Sequence, residues 1–193
     1  MMRPTRACII ATMTAACLAT NYALIGLPNV KCMDFLVFIS GLFFGPSVGV
    51  SVGALTWLIY GTINPYGFCL PIWLATTLSE TIYGLAGGII KRSGGLGWVE
   101  DGGLAWSAYR LGALGFALTA IYDLLTNLAF AITFGLPVWL AIAYGAWFSL
   151  VHELSNAIMF AACTPALARV SRSLGLSGGG VMGRWPGERS GLG

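Results

Sequence analysis

Six apolar runs follow one another along this chain: Ala7–Gly26, Asp34–Phe44, Ser47–Gly61, Leu70–Ile90, Arg110–Phe134 and Val138–Val170. A helix that crosses a bilayer needs about 20 predominantly apolar residues. Four of the runs reach that length, and the second and third are shorter. Charged residues are 9% of the 193, against about 25% in an average soluble domain, too few to cover a water-facing surface. Disorder, a coiled coil and an ordinary cytosolic enzyme are excluded on that ground. The pattern predicts an all-α membrane protein, a six-transmembrane-helix bundle over residues 1–170. A flexible cytoplasmic tail rich in Gly, Ser and Arg is expected over 171–193. No room is left for a separate soluble domain, so any chemistry must lie between the helices or at their ends.

The second and third runs join at Gly45-Pro46. They form either one long helix kinked at the proline or two helices broken there, with proline opening the second. Charge favours the break. With six helices and a cytoplasmic N-terminus, Arg3, Arg6, Lys91, Arg92, Arg110, Arg169, Arg172, Arg184 and Arg189 lie inside and Lys31 alone outside. The expectation is a multi-pass plasma-membrane protein with both termini cytoplasmic. Two arginines before an apolar run resemble a signal peptide, but Asn21-Tyr22 is no small-residue cleavage site, so a retained first helix is expected. The net charge of +3 is too small to argue for nucleic acid. Five cysteines show no metal-binding spacing. Cys8, Cys17 and Cys163 read as packing residues. Cys32 and Cys69 fall in polar connections, where an odd cysteine count favours free thiols over a pair. No metal or cofactor is implied.

Four features could carry function. Small residues recur every four positions: Ala7, Ala11, Ala15 and Ala19 in the first run, Gly41, Gly45, Gly49 and Gly53 in the second and third, Gly84 and Gly88 in the fourth. Such rows let helices approach closely, within the bundle or with a partner. Glu80, Asp123, His152 and Glu153 sit near the middles of their runs. Intramembrane charges are costly and normally face the bundle interior or a wet cavity. Helical spacing groups Thr76, Glu80, Tyr83 and Gly84 on one face. It places Asp123, Thr126 and Asn127 on a second, and Ser149, His152, Glu153 and Asn156 on a third. These are read as an intramembrane polar network. Aromatic residues crowd the outer half, as an interfacial belt or as the wall of a pocket for a flat ligand. Asn64-Pro65-Tyr66-Gly67 is a turn that could cap it. Finally, Gly45-Pro46-Ser47-Val48-Gly49 fits GxSxG, but Ser47 is expected at the cytoplasmic edge and His152 near the midplane.

In order along the chain, the alanine row, Leu27-Pro-Asn-Val-Lys31, the glycines around Gly45-Pro46, Asn64–Gly67, Glu80–Gly87, Tyr122–Asn127, and His152 with Asn156 make a recognisable set. From about Ala7 to Ala168 the chain resembles the substrate-binding S components of energy-coupling factor (ECF) vitamin transporters. The resemblance implies a six-helix protein that binds a vitamin-like small molecule near the extracellular side. It also implies docking onto a transmembrane coupling protein driven by two ATP-binding-cassette (ABC) ATPases, through Ala7, Ala11, Ala15 and Ala19. The implied substrate site is bounded by Asn29 and by Asn64 and Tyr66, with Trp73, Glu80, Asn127, Trp139 and Tyr144 facing it. The chain has no Met-His metal motif at its start, so the cobalt and nickel members are not expected. It holds no GxxxxGK[ST] nucleotide loop, so it is not itself expected to be an enzyme. Two rivals stand beside this reading: a proton-coupled secondary transporter, motivated by the midplane acids, and an intramembrane serine hydrolase using Ser47.

Overall fold

A computed structural model describes residues 4–63, 67–94 and 103–173. The described residues form seven helices and no strand: α1 Pro4–Ala23, α2 Met33–Phe44, α3 Pro46–Ile63, α4 Leu70–Arg92, α5 Leu104–Phe134, α6 Val138–Ala162 and α7 Thr164–Ser173. By length and composition α3 and α5 could cross a membrane, while α2 is apolar but spans only 12 residues. The expected tail beyond Ser173 lies outside the described residues.

Local chemistry places the breaks. The chain reverses at Gly45, whose φ of 98° is open to glycine and strained for other residues. The Gly45 amide closes α2 by donating to the Gly41 carbonyl at 2.8 Å. Pro46, with its φ already helical and no N–H to satisfy, opens α3. The second and third runs are therefore two helices. The last run departs from expectation. It was expected to continue unbroken to Val170, but α6 stops at Ala162 and α7 starts at Thr164. Pro165 can give no hydrogen bond to the Ala161 carbonyl, and its ring would collide with it in a continuous helix.

The tightest packing joins α2, α3 and α4. A Cβ at Gly84 would strike the Gly49 backbone, one at Gly41 the Gly84 carbonyl, and one at Gly88 the Pro46 ring. The glycine rows are thus spent on internal contact, except Gly45, which makes the turn. Helix α1 packs against α2 and α3, α5 against α4 and α6, and α7 lies by the ends of α5 and α6. An aromatic core forms where Phe160 of α6 meets Phe35 and Phe38 of α2, with ring centroids 5.1 Å apart in both cases.

Beside this apolar core the interior holds several ionisable and polar side chains, while large apolar side chains lie on the outer faces. Asp34, Glu80, His152, Asn156 and Thr119 are completely buried. Ile132, Trp139, Tyr144 and Trp147 are each at least 70% exposed. Helix α6 shows the pattern well: Ala141, His152, Asn156 and Phe160 are buried along one narrow line, and the outward faces are largely apolar. On α1, Ile10, Thr14, Cys17 and Asn21 turn inward, while Ala7, Ala11, Ala15 and Ala19 lie on the exposed side.

Candidate functional site

Two connected features occupy the interior. The deeper is a polar lock between α2, α5 and α6. His152 Nε2 lies 2.7 Å from Asp34 Oδ2, and His152 Nδ1 lies 3.0 Å from Asp123 Oδ1. Asn156 Nδ2 donates to the same Asp34 oxygen at 2.6 Å and contacts Thr119 Oγ1 at 3.0 Å. The Tyr83 hydroxyl reaches Thr119 Oγ1 at 2.9 Å and ties α4 into the set. The Tyr122 ring stands edge-on to His152, 5.6 Å between centroids. With both imidazole nitrogens facing carboxylates, this arrangement can hold a proton among three helices. The second oxygen of Asp123 is buried without a partner.

The shallower feature is a cavity of about 480 Å³. It lies where the C-terminal ends of α1, α3 and α5 meet the start of α4 and the α1–α2 connection. Its walls are largely aromatic and aliphatic, with Trp57, Trp73 and Phe148 among them, and Asn21, Asn29 and Lys31 bring polar atoms. The chain can turn here because Asn29 adopts φ 55°, a left-handed conformation that asparagine tolerates better than most residues. The Asn29 amide donates to the Phe148 carbonyl at 2.8 Å, pinning the connection to α6.

Trp57 joins the two features. Its indole N–H donates to Glu80 Oε2 at 3.0 Å, behind the cavity wall. Its face carries the Lys31 ammonium, 5.0 Å from the ring centroid, and the same ammonium lies 5.3 Å from the Tyr122 ring.

The residues expected at a substrate site are thus divided. Asn29 and Trp73 line the cavity; Trp73 packs on Gly61, where a Cβ would strike its ring. Glu80 is buried behind Trp57 and does not line it. Asn127 turns to α6 instead, donating to Ser149 Oγ at 3.3 Å, with its amide against Gly145. Trp139 and Tyr144 were expected to face the pocket and do not: they stand on the outer side of α6, 70% and 76% exposed. Asn64 and Tyr66 lie outside the described residues. Of the polar network, Asp123, His152 and Asn156 come together, whereas Glu153 is half-buried and makes no hydrogen bond or ion pair among the described residues.

A scan against protein-family models and a search of curated proteins gave no match.

Sequence reasoning missed Asp34, Lys31 and Trp57. Asp34 is the lone acid at the start of an apolar run, where a first-turn acid is ordinary, and Lys31 is the lone cation away from the basic end, which was a visible signal. The Ser–His pair that a hydrolase needs is not formed. Ser47 is exposed in the first turn of α3, and both His152 nitrogens are engaged by carboxylates. Cys32 and Cys69 are free thiols, as are the other three cysteines.

Proposed function

We propose that this chain is a multi-pass membrane protein that captures a small solute for an ATP-driven importer, as an S component of the ECF type. The observation that carries the reading is the pairing of apolar outer faces and buried ionisable side chains with a cavity at one end of the bundle. Exposed tryptophans and isoleucines are unfavourable in water and matched by lipid, and in lipid Asp34, Glu80, Asp123 and His152 have nowhere to go but the bundle interior. Helices α1, α4 and α6, at 20, 23 and 25 residues, are long enough to join α3 and α5 in spanning. Lys91, Arg92 and Arg169 fall at the end away from the cavity, and Lys31 at the cavity end. The positive-inside rule then sets the cavity outward, as capture from outside requires.

Docking on the coupling protein is assigned to Ala7, Ala11, Ala15 and Ala19, whose exposed row leaves room for a close helix contact. Affinity purification from the protein's own membranes tests the assembly. The chain should bring down a transmembrane coupling protein and two ABC ATPases; recovery of the chain with neither after crosslinking in the membrane would contradict the reading.

The Asp34–His152–Asp123 relay favours a second reading, a proton-coupled transporter. In that case the chain alone would drive uptake on a pH gradient, and Asp123→Asn would uncouple it. Uptake that stops whenever the ATPases are absent rules this reading out.

A further inference from the structure

The cavity's polar groups are unevenly distributed. Lys31 is the charged side chain in its lining. Its ammonium is held by the faces of Trp57 and Tyr122, and no carboxylate lies within ion-pair distance among the described residues. Two buried amides lining the same space, Asn21 at 4% and Asn29 at 6% exposure, each keep one polar atom unpartnered: the Asn21 Nδ2 donor and the Asn29 Oδ1 acceptor. A buried polar atom without a partner is destabilising, and a ligand that supplies the partner relieves that cost. The Lys31 ammonium also lies within electrostatic range of Asp34 and Glu80, and the Glu80 carboxyl is turned to the Trp57 indole.

We infer that the cavity takes a flat heteroaromatic anion, with its carboxylate on Lys31, its ring beside Trp57 and Trp73, and its ring heteroatoms on Asn21 and Asn29. This rests on the capture reading and gives its substrate a chemical class. The logic is one of complementarity. An ammonium resting on π-faces has N–H donors to spare for an anion. Aromatic walls favour a planar body. A volume of about 480 Å³ falls in the range of small-molecule pockets. A cationic ligand would meet Lys31 with like charge and leave the Asn21 donor unanswered.

The test is equilibrium dialysis of the purified full chain in nanodiscs with a matched pair of probes, quinoline-3-carboxylate and quinoline-3-carboxamide. The wild-type protein should prefer the carboxylate at least about tenfold. Lys31→Met should abolish the preference, and Lys31→Arg, which keeps the charge and guards against a folding defect, should retain it. Equal binding of the pair, no saturable binding of the carboxylate, or a preference that survives Lys31→Met overturns the inference. Partner recovery is measured separately. Recovery of the ATPases without a carboxylate preference defeats the ligand assignment alone. A carboxylate preference with no ATPase recovered defeats the importer reading alone.

Discussion

At the scale of single residues, the most demanding position is Asp34. One of its oxygens accepts from Asn156 and faces His152, and the carboxyl is completely buried. Removing one partner of a buried ionic pair leaves the others uncompensated and typically costs about 3–5 kcal/mol. Asp34→Ala should therefore lower stability by about that amount, measured as the unfolding midpoint in mixed micelles. Glu153→Gln, at a half-buried position without a hydrogen bond, should shift it by less than about 0.5 kcal/mol. Equal effects would show that the lock is not a structural element. Asp123, His152 and Asn156 could be selected from the sequence because a charge in mid-helix has few places to go except inward. Their partner could not. Asp34 stands 118 positions from His152, and helical spacing says nothing about contacts across helices. An acid in the first turn of a helix also has an ordinary explanation in the helix dipole.

At the scale of elements, the glycine contacts hold α2, α3 and α4 at backbone distance. Gly84→Ala places a methyl group into the Gly49 backbone, which cannot yield as a side chain can. A loss of about 1–3 kcal/mol is expected from this overpacking, read by thermal unfolding; an unchanged midpoint would mean the helices separate freely. The alanine row of α1 should behave in the opposite way. Ala15→Leu points outward, so stability and probe binding should be unchanged while recovery of the coupling protein falls. Loss of probe binding with normal recovery would reverse the assignment of that face. The break at Gly45-Pro46 was legible because both residues favour it. The one at Pro165 was hidden inside a run whose hydropathy continues across it. The aromatic residues were harder still. In α6 the buried line turns polar only at His152 and Asn156; over 138–148 every face is apolar, so no contrast in hydropathy tells which side carries Trp139 and Tyr144. Lys31 offered a signal that those aromatics lacked, a lone cation away from the basic end, but sequence reasoning missed it as a site residue.

At the scale of the whole molecule, the central claim is a bundle set across a membrane with its cavity turned outward and most of its basic residues turned inward. Cys69 is a free, half-buried thiol in the cavity lining, and Ser93 is exposed just beyond Lys91 and Arg92 at the opposite end. Labelling with a membrane-impermeant maleimide compares the two ends directly. It uses one chain whose sole cysteine is Cys69 and another whose sole cysteine is Ser93→Cys. The account predicts that in intact cells Cys69 reacts and the cysteine at position 93 does not, until the membrane is permeabilised. Labelling of both in intact cells, the reverse order, or recovery of the chain in the soluble fraction would contradict it.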